Sequence, residues 1–409
     1  MYNLRPHQHK NAVLLYHVLN KFKIAYLAGE VRSGKTLTAL RTADIYNTEN
    51  VLFVSKKSAL SSVQKDYNNF RFTYNLALIN YASLHKIEKR KYDLVIYDEA
   101  HSLGAFPKPS KRTKLSKKLF YDVPTILMSG TPSVESYSQL YHQFYVSKFS
   151  PFKQYTNFYK WAKDFVDKKE LRLPTHTVND YSHAKVDQID KIIKPYIVTM
   201  SQKEAGFTTE INETILNVPV PELIKKMTKN LIKDRVIEGK HSFVLGDTPA
   251  KIQSKVHQIY NGHVITEDAT GETKTVILDT YKVDYIKRQF KGLKIAIMYY
   301  YKAEYEMLKN AFDLAKDIEE FNNTDKNIAI QQSATEGMNV SKANALVYLN
   351  LGFSGKNYLQ SRDRMTVKER ETNNVYFIAE SDGITSKILD AVRNKKDFNS
   401  RMFKKAYGL

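Results

Sequence analysis

The chain has 409 residues, with 63 Lys and Arg against 43 Asp and Glu, a formal charge of +20 and no cysteine. Disulfides and thiolate metal sites are therefore excluded, no apolar run reaches the length of a membrane span, and the length suffices for two ordinary domains. The positive excess is dispersed, which points to a polyanion, most simply nucleic acid, held on folded faces; a plain solvated basic surface is the alternative.

The first residues crowd together Arg5, His7, Gln8, His9 and Lys10. They lack the progression of a signal peptide, and with the missing cysteines this predicts a reducing cytoplasm. Pro6 suits a helix start, and Val13, Leu14, His17 and Val18 continue at helical spacing. Ile24 to Ala28 then form a short apolar run fit for a buried strand, followed by Gly29-Glu30-Val31-Arg32-Ser33-Gly34-Lys35-Thr36. This matches the G-x-x-x-x-G-K-[ST] pattern in full, and Leu37-Thr38-Ala39-Leu40 supplies a first helical turn behind it. Gly29 and Gly34 let the loop turn its N–H groups onto phosphate oxygens, Lys35 adds a point charge, and the Thr36 hydroxyl can ligate Mg²⁺. The alternative is a chance match in a surface turn.

Val51 to Ser55 and Leu76 to Tyr81 are further short strands separated by helix-permissive sequence, the βαβ pattern of a covered parallel sheet. The strand Tyr92 to Tyr97 runs directly into Asp98-Glu99-Ala100-His101. That placement puts two carboxylates at the carboxyl edge of the sheet, where open α/β sheets bind ligands. Asp98 would hold Mg²⁺ and Glu99 would orient or deprotonate the attacking water. A basic cluster follows at Lys108, Lys111, Arg112, Lys114, Lys117 and Lys118, then the strand Thr125 to Met128, ending in Ser129-Gly130-Thr131-Pro132.

From Ser133 to Gly206 the sequence is aromatic-rich and helical in spacing, with Tyr137, Leu140, Tyr141, Phe144, Tyr145, Phe152, Phe158, Tyr159, Trp161 and Phe165. A packed helical insertion is the favoured reading and a stacking platform for bases the other. A second α/β pattern then appears at Lys294 to Tyr300, Ile328 to Ile330, Ala345 to Leu349 and Asn374 to Ile378. Between Met338 and Arg370, arginines could reach a nucleotide and stabilise transition-state charge, or could simply line a charged helix face. His7 and His9, without acidic or Cys partners, read as surface residues.

Taken in order, these motifs resemble a superfamily 2 helicase or translocase of the DEAH-box type, and within it the Swi2/Snf2-type DNA-dependent ATPases. Leu4-Arg5-Pro6-His7-Gln8 is similar to the adenine-recognising Q motif, Gly29 to Thr36 to motif I, Asp98 to His101 to motif II and Ser129 to Pro132 to motif III. Phe158 to Trp161 and Ile192 to Val198 look like the family's helical segment after motif III. Lys255 to Gly262 resembles its conserved stretch in the second lobe, Ser333 to Val340 motif V and Gln360 to Arg364 motif VI. The second motif VI arginine falls on Val367; Arg364 is the best match, with Arg362 and Arg370 as fallbacks.

The resemblance implies two tandem RecA-like P-loop domains with parallel sheets. Residues 1–205 would form a first lobe with motifs Q to III and a helical insertion at about 133–205, and 206–409 a second lobe with motifs IV to VI. It implies ATP and Mg²⁺, with Arg5, Gln8, Gly29, Arg32, Ser33, Gly34, Lys35, Thr36 and Gly337 around the nucleotide and Thr36 and Asp98 on the metal. Lys35, Asp98, Glu99, Gln360, Arg362 and Arg364 would serve catalysis, and Lys56, Ser58, Asn80, Tyr81, Thr335 and Asn339 would contact nucleic acid. The expected activity is ATP-driven movement on, or remodelling of, DNA in replication or recombination, by a monomer that could engage proteins of those processes. An RNA-dependent ATPase is the first alternative, and a non-enzymatic scaffold with a vestigial P-loop the second. The Lys-, Asn- and Tyr-rich composition suggests a low-GC bacterium or its phage.

Overall fold

The computed structural model describes residues 4–70, 72–87, 91–133, 136–172, 177–334, 338–366, 371–394, 402 and 406–407. The chain divides into two compact units, Met1–Phe207 and Thr208–Leu409. The first runs α1 (Pro6–Phe22), β1 (Ile24–Gly29), α2 (Lys35–Ile45), β2 (Asn50–Ser55), α3 (Leu60–Phe70), β3 (Asn75–Asn80), β4 (Leu94–Tyr97), α4 (Lys111–Phe120) and β5 (Thr125–Ser129). It continues through α5 (Ser138–Phe144), α6 (Phe158–Phe165), β6 (Lys169–Arg172), β7 (Thr177–Asp180), α7 (Val186–Ile193) and β8 (Ile197–Met200). Six strands form one parallel sheet in the order β3-β2-β4-β5-β1-β8.

Continuous apolar runs make the central strands, because helices cover both faces of a parallel sheet. β4 and β5 are buried along their whole lengths, whereas the edge strand β3 is only half-buried. Alternate residues serve opposite faces. Ala25 and Leu27 pack with Leu15, Leu19, Leu40 and Met128, while Ile24 and Tyr26 pack with Tyr141, Phe144, Phe158 and Trp161. The aromatic segment after β5 is therefore the cover of one sheet face, with Trp161 fully buried. It departs from the expected helical insertion in two places. β6 and β7 pair as an antiparallel hairpin, and Ile197–Met200 is a sheet strand beside β1, in register from Tyr26↔Ile197 to Gly29↔Met200. Pro195 stops the helical run, and the β-branched Ile197, Val198 and Thr199 favour the extended state that follows.

The second unit contains β9 (Glu210–Val218), α8 (Glu222–Asp234), β10 (Val236–Glu238), β11 (Phe243–Leu245), α9 (Pro249–Tyr260), β12 (His263–Glu267), β13 (Thr273–Ile277), α10 (Tyr281–Gln289) and β14 (Ile295–Tyr299). After them come α11 (Lys302–Ala311), α12 (Ile318–Asn323), β15 (Ile328–Gln331), β16 (Ala345–Tyr348), α13 (Gly355–Arg362), β17 (Thr372–Glu380) and α14 (Thr385–Arg393). Five strands form a second parallel sheet, β15-β14-β16-β17-β9. The fold is mixed α/β, as two tandem RecA-like domains require. A separate antiparallel sheet, β10-β11-β12-β13, was not expected from the sequence.

The second unit is pinned by buried polar groups. Lys282 Nζ donates to Glu380 Oε2 at 2.8 Å, and Glu380 also accepts from the backbone N–H groups of Ile384 and Thr385 and from the Thr385 hydroxyl. Removing one partner would leave a buried charge uncompensated, a cost of about 3–5 kcal/mol. On α9, burial pushes His257 down to about 3, and the neutral ring lies between Tyr301 Oη and the Leu351 carbonyl. Among the described residues no helix is long and apolar enough to cross a membrane.

Candidate nucleotide site

The site is assembled at the carboxyl edge of the first sheet. β1 ends at Gly29 and α2 begins at Lys35, so the intervening loop bridges strand to helix. Two residues of that loop have left-handed backbone, Arg32 with φ 63° and Gly34 with φ 92°. Gly29 has no room for a side chain, since a Cβ there would lie 2.7 Å from Lys35 Cγ and 2.8 Å from Ser33 Oγ. The first helical bond of α2 runs from Thr38 N to Gly34 O, which aims the amino end of the helix at the loop. That is the arrangement that receives phosphate. Lys35 Nζ donates to the carbonyls of Gly29 at 2.7 Å and Glu30 at 2.9 Å, so its charge is held against the loop itself.

β4 and β5 bring two further segments to this edge, because β5 pairs with both β1 and β4. Asp98 Oδ2 accepts from Ser55 Oγ at 2.7 Å, and Oδ1 accepts from the Glu99 N–H at 2.9 Å. Glu99 itself has φ 50°, which turns the chain sharply at the second carboxylate. His101 Nδ1 lies 3.1 Å from Glu99 Oε2 and 2.8 Å from Ser129 Oγ, and Ser129 Oγ accepts from the Thr131 N–H. Motif II and motif III are thus hydrogen-bonded to one another. Gly130 closes on the phosphate loop: a Cβ on it would lie 3.4 Å from the Gly29 carbonyl and 3.6 Å from Lys35 Nζ. A glycine-containing loop, an ammonium, a hydroxyl and a carboxylate at one sheet edge are the donor set that a Mg²⁺-nucleotide needs.

Several supporting residues were not identified in the sequence. Tyr26, whose phenol burial pushes far above its ordinary value, donates to Gln143 Oε1 at 2.7 Å, and Gln143 Nε2 donates to the Pro132 carbonyl. The loop is braced from the segment after β8: the Gln202 N–H donates to Glu30 Oε2 at 2.6 Å, and Gln202 Nε2 to the Val31 carbonyl at 2.9 Å. His7, read as a surface residue, instead donates from Nε2 to the Ser33 carbonyl at 3.1 Å. No short motif announces these contacts, since each joins residues far apart in the chain.

The remaining expected residues are placed as follows. Gln8 is 4 % exposed, its Oε1 accepts from the Arg5 N–H, and a Cβ on Gly34 would lie 2.2 Å from Gln8 Nε2. It therefore packs on the phosphate loop, while Arg5 is exposed. Lys56 is half-buried and Ser58 exposed at the end of β2. Asn80 caps the following turn by accepting from the Ser83 N–H. Tyr81, expected to touch nucleic acid, is only 7 % exposed and donates to the Asp98 carbonyl at 2.6 Å, which makes it a support of the acidic turn.

In the second unit Gln360 and Arg364 are buried, and the Arg364 carbonyl accepts from the Val340 N–H. Arg362 lies 3.5 Å from Glu213, which also takes Arg393 at 2.8 Å and the Tyr358 hydroxyl. Glu213 on β9 thus holds α13 through Arg362 and α14 through Arg393. Asn339 is exposed, and its Oδ1 accepts from the Ser341 N–H. Thr335, Gly337, Val367 and Arg370 lie outside the described residues.

The fold is that of a RecA-like α/β protein, and the comparisons narrow this further. Residues 49–216 match the family model of the SNF2-related domain, a similarity that points to superfamily 2 ATPases and translocases. The matched stretch begins after the phosphate loop and contains Asp98, Glu99 and Ser129 to Pro132. No curated protein matches the chain.

Proposed function

We propose that this chain is a nucleic-acid-stimulated ATPase of superfamily 2 that moves on or remodels DNA. The observation that carries the reading is the convergence of Gly29–Lys35, Asp98–Glu99 and Ser129–Gly130 on one sheet edge, with Gly130 closing against Lys35. The similarity of residues 49–216 to the SNF2-related domain supports it from the sequence side.

Lys35 and the amino end of α2 would bind the phosphates, with Gly29, Arg32, Ser33 and Gly34 shaping the cradle. Thr36 and Asp98 would hold Mg²⁺, which neutralises charge on the phosphates. Ser55 fixes one oxygen of Asp98, and Glu99 is the base or orienting group for water, steadied by His101. Phosphoryl transfer needs little else from a protein beyond positioning and electrostatics. Gln360 and Arg364 are the proposed contribution of the second unit to turnover, and Gln8 and Arg5 that of the chain's beginning to base recognition. Lys56, Ser58, Asn80, Thr335 and Asn339 are proposed contacts to the nucleic-acid backbone.

DNA is the proposed substrate, favoured by the net positive charge and the Snf2 likeness. The test is steady-state phosphate release with single-stranded DNA, duplex, fork and RNA in parallel. The expected result is stimulation by DNA above RNA. Preference for RNA would move the chain to the RNA-dependent branch, and indifference to every nucleic acid would defeat the translocase reading.

A further inference from the structure

Tyr26 on β1, Ser129 on β5 and Gln143 on α5 are fully buried and form a chain of hydrogen bonds behind the acidic turn. Its far end is fixed by backbone. Gln143 Nε2 donates to the Pro132 carbonyl at 2.7 Å and to the Gln139 carbonyl at 3.2 Å. The loop after the acidic turn packs closely on α5: a Cβ on Gly104 would lie 2.7 Å from the Gln139 carbonyl and 3.0 Å from Gln143 Nε2. Carbonyl oxygens only accept, so the amide cannot turn over, and its Oε1 faces the Tyr26 phenol as an acceptor.

That fixed amide orders every hydrogen in front of it. Tyr26 Oη, 2.7 Å from Gln143 Oε1, must donate to it. Burial pushes the phenol far above its ordinary value, so it keeps the hydrogen this bond needs. The phenol oxygen is then left to accept, and the Ser129 hydroxyl bonds to it. A hydroxyl has one hydrogen, and with that one given to Tyr26, Ser129 Oγ can only accept from its other neighbours. One of these is the Thr131 N–H at 3.0 Å; the other is His101 Nδ1 at 2.8 Å. The His101 ring therefore carries a hydrogen on Nδ1, the nitrogen that lies 3.1 Å from Glu99 Oε2.

We infer that Gln143 and Tyr26 are positioning residues for turnover: acting through Ser129, they hold His101 in the form whose Nδ1–H faces Glu99. Which ring nitrogen of a histidine bears the hydrogen is set by the partners it meets. In the opposite tautomer a ring lone pair would face the carboxylate, and the repulsion would drive Glu99 from the place where it meets water. Neither Gln143 nor Tyr26 is a catalytic residue in this scheme. Their effect travels along hydrogen bonds, from α5 and β1 to the end of β5 and then to the acidic turn. The inference rests on the ATPase reading above and states how the water-orienting carboxylate of that site is steadied.

The test pairs ¹⁵N NMR of the full chain labelled on its histidine rings with phosphate release from Mg²⁺-ATP. His101→Gln identifies the His101 signals, and the other histidine signals report that each variant is folded. Wild type should carry the hydrogen on Nδ1. In Tyr26→Phe the Ser129 hydroxyl loses its acceptor and turns to His101 Nδ1, so the ring hydrogen should move to Nε2. Gln143→Met keeps both hydroxyls, yet the phenol then donates to Ser129 and the same exchange is expected. In both variants kcat should fall about tenfold while the KM for ATP stays within about twofold. Ser129→Ala removes the competing hydroxyl, so in that background Tyr26→Phe should lower kcat by less than about twofold and leave the hydrogen on Nδ1. An Nε2 hydrogen alone in wild type, an Nδ1 hydrogen retained in either Tyr26→Phe or Gln143→Met, or an equal loss from Tyr26→Phe in both backgrounds would overturn the inference while leaving the ATPase reading intact. Absence of turnover in wild type would defeat the ATPase reading and with it any role in turnover, whereas the spectra test the order of hydrogens in either case.

Discussion

Tyr81 shows what a single residue can and cannot disclose. In the sequence it ends a strand beside Asn80 and resembles a nucleic-acid contact, yet the fold buries its ring and directs its hydroxyl onto the Asp98 carbonyl. Tyr81→Phe removes one buried hydrogen bond, about 1 kcal/mol, from beneath the acidic turn. Turnover should fall a few-fold while DNA affinity stays at the wild-type value; the reverse pattern, read from phosphate release and strand binding, would restore the contact reading. The placement of Gly29 to Thr36 between β1 and α2, and of Asp98-Glu99 just after β4, was legible because these residues adjoin their strands in the chain. Ser55, Tyr26 and His7 were not, because each reaches a partner distant in sequence.

At the scale of elements, the central strands were readable as apolar runs, and the expected strand at Thr125 became β5 with one residue added. β8 was missed because Ile197 and Val198 continue the Ile192 to Tyr196 stretch and were read with it as one helical segment, although Ile197, Val198 and Thr199 are all β-branched. That omission matters, since β8 leads into the segment that braces the phosphate loop. Glu30→Ala and Gln202→Ala each remove part of this brace, and the missing hydrogen bonds, about 1 kcal/mol each, should raise the KM for ATP roughly fivefold with a smaller change in kcat. Glu30→Gln keeps an acceptor for the Gln202 N–H and should restore most of the affinity. An unchanged KM in both alanine variants would show that the loop holds its shape alone. In the antiparallel sheet, β10 and β11 escaped because they have three residues each, too few to show a period.

The whole molecule carries its charge outside and a few titratable groups within. Burial pushes the Glu304 carboxyl up to about 7, although the N–H groups of Tyr300 and Tyr301 and the Asn350 amide favour its charged form. A folded-state pKa above the ordinary value of 4.5 means a stabilising contribution that is full below 4.5 and lost as pH rises through about 7. His257 and His263, pushed down by burial to about 3 and about 4, work in the opposite sense on acidification. The informative quantity is therefore the difference between wild type and Glu304→Gln, in which the histidines cancel. Asn350 Oδ1, which has no hydrogen-bond partner among the described residues, can turn to accept from the new amide. Relative to this variant, wild type should lose on the order of 3 kcal/mol of stability across the window, read by denaturant unfolding at pH 5 and pH 8. A constant difference would place the Glu304 pKa near its ordinary value.

Two α/β halves were evident in the repeated strand pattern, whereas the buried polar networks of the second unit, such as Lys282 with Glu380, left no local trace. The central claim is that the edge cluster hydrolyses ATP. It is tested most directly by phosphate release from Mg²⁺-ATP in wild type, Lys35→Ala and Glu99→Gln, each with and without single-stranded DNA. The account predicts turnover in wild type that DNA accelerates, loss of about a hundredfold or more in both variants, and DNA binding retained in all three. Wild-type turnover in either variant, or none in wild type with DNA present, would contradict it.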